Sequence, residues 1–538
     1  MRRATGRLQA CALALALGLA AWPWGVPAQS LPRSGGAASP QGLPTLGDTE
    51  GLTMGAERRL GERIARELFR DPDYLDDPVL GDYVQQLWLP LLAAARQRGE
   101  LAPEMDERFA WRILLGRDRT INAFALPGGW LGLHLGLISA TASRDEVAAV
   151  LAHELSHVTQ RHIARMMTQD SRVSPLVMGA MILGAAMATR NPAVGQAVMT
   201  GGQAAAVRSQ LNFSRDMERE ADRVGFGVLT QAGFEPAGAA AMFEKLQQAS
   251  RLNDDGSFPY LRTHPLTTER IADMRARLPL AAPSASTGTA RPDLLHGLVS
   301  ARAKVLAAPG VDGLRVLVRE AQALPANASL ARQAVALYGA ALAAHKLGDA
   351  PLALRLQTRL AGLALDDPSA SRLVRLLGGE LALAAGDSAG ALAAAGMRPT
   401  ARPELLLTAL AQLRVAQGGG GSTGSGPTGA SAPASADALD AAAQAADRLQ
   451  SWLLDHPSDA TAWQLLAQAQ TARGLPLRAL RAEAEARVAV LDYSAAMDRL
   501  RAAQNLARRG TTDHIEASII DARARQVALL LREQAAER

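Results

Sequence analysis

The sequence predicts a mostly α-helical protein with a small β-sheet in its N-terminal half and an α-solenoid of helical repeats in its C-terminal half. Apolar residues recur at helical spacing between residues 147 and 155, and a strand–turn–strand pattern precedes them at 122–134. From Asp293 onward the chain consists almost entirely of helix-forming segments with a recurring glycine motif. With 538 residues, the chain is long enough for two or more domains.

The strongest chemical signal is His153-Glu-Leu-Ser-His157, an HExxH pattern. Residues four apart share a helix face, so both imidazoles can bind one metal ion, and Glu154 is placed to take a proton from a metal-bound water. Ser143 and Glu146 predict a capping box at the start of this helix. The alternative is a solvated helix with two unrelated histidines. His162 is about 140° further round the helix than His157, so we expect it behind the ligands or at the surface.

A catalytic zinc needs a third protein ligand and an open position, and Glu218 is the downstream candidate. Glu218 and Asp222 are four apart on a second predicted helix and share a face. Asp222 would then accept a hydrogen bond from a ligating imidazole, while Glu220 points elsewhere. The alternative is an ordinary charged helix with an i, i+4 pair.

The segment from Asn122 to Gly129 predicts a strand and a Pro-Gly-Gly turn, followed by a return strand that contains His134. Phe109–Leu115 predicts a further strand. We expect His134 to be structural, and the plain alternative for the whole segment is a structural hairpin.

Four motifs together resemble peptidase family M48, and in particular its periplasmic zinc metalloproteases, which join a gluzincin-type protease domain to a C-terminal array of tetratricopeptide (TPR) repeats. The resemblance covers roughly residues 45 to 275. The motifs are Asn122-Ala-Phe-Ala-Leu-Pro-Gly-Gly129, His153-Glu-Leu-Ser-His-Val-Thr-Gln-Arg-His162, Glu218-Arg-Glu-Ala-Asp222-Arg and Thr263-His-Pro-Leu-Thr-Thr-Glu-Arg270.

This resemblance implies one zinc ion per chain, with His153, His157 and Glu218 as ligands and Glu154 as general base. It further implies that His264 is a regulatory residue or fourth ligand, which occupies the open metal position and holds the enzyme latent. The alternative is a loop histidine without metal contact.

The resemblance also implies a substrate-binding wall. In metalloproteases of this kind an edge strand near the metal pairs with the extended substrate backbone. Asn122, Ala123 and Phe124 are the candidate residues for that wall.

The function implied is hydrolysis of misfolded or stalled outer-membrane β-barrel proteins, together with help in their assembly. The helical repeats would recruit these substrates or the outer-membrane β-barrel assembly machinery. One alternative is a largely latent protease that acts as a TPR chaperone or scaffold, and another is a general protease for misfolded periplasmic proteins. The apolar, Met-rich segment 176–188 is expected to be a buried helix, or else a flap that makes peripheral membrane contact.

Residues 1–28 resemble a secretory signal peptide, which predicts a periplasmic protein. The alternative is a retained membrane anchor. Cys11, the single cysteine, lies inside this leader, so no disulfide is expected in the mature chain. Removing the three leader arginines lowers the formal net charge from +5 to +2, and no nucleic-acid partner is expected.

The predicted organisation has six parts after the leader. It comprises a disordered segment at 29–50, the metallopeptidase domain at 51–280, a linker at 281–292, repeats at 293–417, a flexible Gly/Ser/Pro linker at 418–436 and further repeats at 437–538. A glycine cue recurs at Gly348, Gly386 and Gly474, and Trp463, Leu466 and Ala479 match part of the TPR pattern. The alternative is an irregular helical domain.

Overall fold

The computed structural model describes residues 52–169, 214–251, 260–278, 293–307, 310–325, 327–397, 399–418, 435–510 and 513–536. The predicted leader, the segments 29–50 and 176–188 and the linker 281–292 lie outside these residues, as does most of the linker 418–436. The chain from Glu50 to Arg538 forms one unit. The predicted fold class is confirmed, because helices dominate and one small sheet is present.

The N-terminal half is built from helices around that sheet. A Pro-containing turn separates the first two helices, and Tyr74–Leu75 within it forms a two-residue strand that is too short to be recognised from alternation. Among the described residues, the helices are α1 Met54–Arg70, α2 Pro78–Gln97, α3 Pro103–Arg108, α4 Leu135–Ala140, α5 Arg144–Thr159, α6 His162–Gln169, α7 Arg215–Gln231, α8 Ala237–Arg251, α9 Tyr260–Thr263 and α10 Thr268–Arg277.

The sheet has four strands in the order β1-β2-β4-β3. The strands are β1 Tyr74–Leu75, β2 Arg112–Gly116, β3 Ala123–Leu126 and β4 Trp130–His134. β2 and β4 are parallel, whereas β3 runs antiparallel to β4 across the predicted Pro-Gly-Gly turn. β3 is therefore an edge strand.

The two faces of the sheet pack differently. Ala123, Ala125, Leu131 and Leu133 share one apolar core with α2 and α5. Leu126 and Trp130 face the other way, into a core formed with α1 and the last helices of the chain. The first face is therefore the one that meets the helix with the HExxH motif.

Helices continue through the C-terminal half. They are α11 Leu294–Leu306, α12 Gly310–Gln322, α13 Leu330–Lys346, α14 Ala350–Ala361, α15 Pro368–Ala384, α16 Ser388–Ala395, α17 Arg402–Gly418, α18 Ala436–Asp455, α19 Ala460–Ala472, α20 Pro476–Ala489, α21 Tyr493–Arg508 and α22 His514–Ala536. Gly348, Gly386 and Gly474 each occupy a turn between two consecutive helices with φ of 78°, 87° and 71°. Glycine adopts this left-handed conformation without steric cost, which explains why glycine recurs at these turns.

Three arginines of the C-terminal half bind the start of α2. Arg302 Nη2 lies 2.7 Å from Asp77 Oδ2. Further ion pairs join Arg372 to Asp82 and Arg402 to Asp76, both at 2.7 Å. The helical half is thus packed against the N-terminal half. Among the described residues, no helix is both long and apolar enough to cross a membrane.

Candidate metal centre

Helix α5 is anchored at its first turn. Ser143 Oγ accepts a hydrogen bond from Glu146 N, as predicted for a capping box, but Glu146 Oε2 accepts from Ala142 N rather than from Ser143. Lys245 Nζ also contacts Glu146 Oε2 at 2.7 Å. α5 is buried around most of its circumference, so its HExxH residues lie inside the protein.

Helix α7 crosses α5 closely enough to bring its carboxylates to the HExxH motif. A Cβ at Gly225 would lie 3.1 Å from Ala152 O, so a larger residue would push the two helices apart. Ser214 caps α7 by accepting a hydrogen bond from Met217 N. This close approach places Glu218 and Asp222 beside the two histidines of α5.

His153, His157, Glu218 and His264 form a buried cluster in which one potential ligand atom from each residue lies within 4.8 Å of the others. The two Nε2 atoms of His153 and His157 are 3.0 Å apart. The Glu218 carboxylate lies 3.5 Å from each of them, and its Oε1 is 2.9 Å from His264 Nδ1.

These residues fit a zinc ion. Zn–N bonds of about 2.0–2.1 Å in a tetrahedron place two nitrogens about 3.3 Å apart, close to the separations observed here. The donor set of imidazoles and one carboxylate is the set that zinc prefers. Glu154 Oε1 is buried and makes no hydrogen bond, so a carboxylate oxygen faces the centre from the HExxH helix as well.

Glu154 is held beside this cluster by the edge strand. Its Oε2 accepts a hydrogen bond of 2.9 Å from Ala125 N, and its Oε1 lies 3.4 Å from His264 Nε2. Burial raises the pKa of Glu154 above its usual range. A carboxylate with a raised pKa is a stronger base, as proton abstraction from water requires.

The charges of the cluster shift the pKa values of its other members. Burial alone would raise the pKa of Glu218, but the His264 and His153 imidazoles hold it well below its usual range. Burial alone would lower the pKa of His153, but the Asp222 and Glu218 carboxylates raise it to about 10. The site thus keeps Glu218 ionised, as a metal ligand must be, whereas His153 has to lose its proton when an ion binds.

Asp222 lies where the sequence predicts it, with Oδ1 at 3.1 Å from His153 Nδ1. Sequence reasoning did not assign its partner. Arg270 donates to both Asp222 oxygens and to Pro265 O, and its Nη1 lies 2.7 Å from Glu218 Oε2. Arg270 is the last residue of the Thr263–Arg270 motif, and its place in that motif was the one sign in the sequence that it has a role in the site. The spacing of the motif could not show that Arg270 pairs with Asp222 of α7.

The three residues predicted to form the substrate-binding wall have different surroundings in the structure. Asn122 is buried, and its carbonyl accepts a hydrogen bond from His134 N, so that carbonyl already pairs within the sheet. Ala123 packs on the α5 side, whereas the Phe124 ring lies over Gly132 on the opposite face. The backbone of β3 reaches the site through Ala125 N, which donates to Glu154 beside the cluster.

His134 lies where a structural residue is expected. It is the last residue of β4, and its Nδ1 lies 2.9 Å from Thr120 Oγ1. His134 is not a member of the cluster. His162 is also outside the cluster, but it is completely buried and contacts His157 directly.

Comparison with known proteins agrees with this geometry. Residues 96–278 match the model of peptidase family M48. The chain is 36% identical over 237 residues to a putative beta-barrel assembly-enhancing protease of Vibrio cholerae, a match that covers 44% of this chain and 47% of that protein. It is 33% identical over 243 residues to the beta-barrel assembly-enhancing protease of Escherichia coli, covering 45% and 48% of the two chains.

A mitochondrial metalloendopeptidase OMA1 of Arabidopsis thaliana is 30% identical over 197 residues, or 36% of each chain. The chain matches about half the length of the beta-barrel assembly-enhancing proteases. All members of the cluster fall within the segment that matches the family. Residues 96–278 therefore form a peptidase domain of family M48, and their buried His153-His157-Glu218-His264 cluster fits a zinc site.

Proposed function

We propose that the protein is a zinc metalloendopeptidase. The observation that carries this proposal is the buried His–His–Glu–His cluster with the Glu154 carboxylate beside it. His153, His157 and Glu218 would hold the ion. When bound, zinc lowers the pKa of its water and polarises the scissile carbonyl.

Proton transfer and the orientation of the His153 ring are assigned to Glu154, Asp222 and the groups that hold them. The hydrogen bond from Ala125 N holds one Glu154 oxygen, which leaves Oε1 to accept the proton of the attacking water and to deliver it to the leaving amine. Asp222, itself held by Arg270, orients the His153 ring through Nδ1.

The edge strand β3 is proposed to align the substrate. Ala125 donates its N–H to Glu154 and not to β4, so the outer edge of β3 lies on the side of the general base. An extended peptide added to this edge would run beside Glu154. The backbone of Ala123 and its neighbours, rather than the Phe124 ring, would make these contacts.

We propose that the substrates are outer-membrane β-barrel proteins that are misfolded or stalled during assembly. We further propose that the protein acts in the periplasm. The names of the Vibrio cholerae and Escherichia coli relatives support the substrate class, and the leader-like residues 1–28 support the location. The helical half would recruit substrates or the assembly machinery and aid assembly.

The substrate class is tested by incubating the zinc-loaded chain with an unfolded outer-membrane β-barrel protein and, in parallel, with an unfolded soluble protein of equal length. We expect the β-barrel protein to be cleaved faster, and a chelator to abolish the cleavage. Equal cleavage rates would support a general protease instead. No chelator-sensitive cleavage of either protein would contradict the peptidase proposal.

A specific contact supports a second candidate function, a largely latent protease that acts as a chaperone or scaffold. His264 lies 2.9 Å from Glu218 and 3.4 Å from Glu154, inside the cluster. A fourth protein ligand would take the position that catalysis needs open. Latency would then last until the loop with His264 moves away.

Replacing His264 by alanine is expected to raise kcat/KM for peptide cleavage. If the site is open in about 10% or fewer of the molecules, the increase should be about 10-fold or more. The measurement is the cleavage rate at matched zinc content, with Thr263→Ala, at the neighbouring position, as control. Unchanged or lower activity of His264→Ala with zinc still bound would reject the latch.

A further inference from the structure

His162 reaches His157 because helix α5 stops early. α5 ends at Thr159, and Arg161 has a φ of 52° before α6 begins at His162. On a continuous helix, His162 would point about 140° away from His157. The break instead brings the two rings together, with centroids 4.9 Å apart and planes at 74°.

The surroundings hold this strained turn in place. A left-handed conformation is unfavourable for a non-glycine residue such as Arg161, and strained positions of this kind persist where neighbouring contacts determine them. Arg161 Nε donates to Glu57 Oε2 at 3.0 Å, and its Nη2 donates to Leu52 O. The chain is thus stabilised in a conformation that packs His162 on His157.

The hydrogen bonds then fix the tautomers of both rings. His157 turns Nε2 toward the cluster, so this nitrogen must be unprotonated when a metal binds, and Nδ1 carries the hydrogen. That N–H donates to His162 Nδ1 over 2.9 Å. His162 therefore carries its own hydrogen on Nε2, which donates to Glu220 Oε2 over 2.9 Å.

We propose that His162 and Glu220 are positioning residues of the zinc site, which orient His157 and fix its tautomer. The inference rests on the proposed zinc site. Three of the four carboxylates of α7 face this site, and of these Glu218 would bind the ion and Asp222 would orient His153. Glu220 would orient His157 through His162. Arg165 Nη1, 2.7 Å from Glu220 Oε2, keeps that carboxylate in place.

The test is zinc affinity, measured by competition with a chelator and independently of proteolysis. His162→Phe keeps a ring but removes the acceptor, and we expect zinc binding to weaken about 10- to 100-fold. Glu220→Ala, at a partly exposed position, should weaken it less. His162→Asn should restore much of the affinity, because its side-chain oxygen can occupy the place of Nδ1 and accept from His157.

His134→Phe is the matched control, since it alters another buried histidine of the domain that lies outside the cluster. A merely structural role would lower the thermal stability of the metal-free His162→Phe and His134→Phe proteins without changing zinc affinity. If the wild type binds zinc tightly and both His162→Phe and Glu220→Ala bind it equally well, the positioning role is overturned. If the wild type binds no zinc, the proposed peptidase function itself fails.

Discussion

Replacing Glu154 by glutamine is expected to lower kcat for peptide hydrolysis by about 10²- to 10⁴-fold while zinc stays bound. The amide oxygen of glutamine can still accept the hydrogen bond from Ala125 N, so the local structure should survive. The amide cannot accept the proton of the attacking water at neutral pH, so the base is lost. The measurement is kcat at saturating peptide, together with zinc content.

Glu146→Gln is the control for this experiment. Glu146 is also a buried carboxylate of α5, but it contacts Lys245 and Ala142 N and not the cluster. Its glutamine variant should retain wild-type turnover. If Glu154→Gln turned over peptide as fast as the wild type, another group would have to be the base.

Replacing Arg302 by alanine is expected to lower the free energy of unfolding by about 3–5 kcal/mol. Arg302 of α11 is buried, and its guanidinium binds Asp77, the residue that caps α2, and Glu380 of α15. Removing the arginine would leave the Asp77 carboxylate buried without its cation, and burial of an uncompensated charge is costly. Chemical denaturation followed by circular dichroism measures the change.

The control is Arg315→Ala, which removes an exposed ion pair to Asp312 on α12. Exposed pairs contribute little, so this variant should unfold like the wild type. A loss of stability in Arg302→Ala no larger than in Arg315→Ala would mean that the contact between the two halves contributes little. A separate, earlier transition of one half in Arg302→Ala would instead identify Arg302 as the link that makes the halves unfold together.

Local pattern predicted much of the candidate site. His153 and His157 share a helix face by spacing alone, and the Pro-Gly-Gly turn identified the hairpin that contains the edge strand. The i, i+4 spacing of Glu218 and Asp222 predicted a shared face, and both do reach the histidines. Such regularities depend only on helix and strand periodicity, which the sequence displays directly.

Other features of the site could not be read in this way. His162 was expected on a continuing helix, but the turn at Arg161 redirects it onto His157, and that turn is held by Glu57, 104 residues earlier in the chain. Phe124 remains a candidate for substrate contact through its backbone, and only the structure shows that strand alternation turns its ring to the face away from α5. In both cases a distant contact or the orientation of the sheet decides the position.

The sequence by itself determined the chemistry of this protein: the donor types, their spacing on two helices and the adjacent carboxylate base. Only the tertiary structure decided which groups meet. Arg270 joins Asp222 across 48 residues, and Arg302 joins Asp77 across 225. The physical reason is that a buried charge needs a partner but does not specify where in the chain that partner lies, so close packing of distant helices makes the choice.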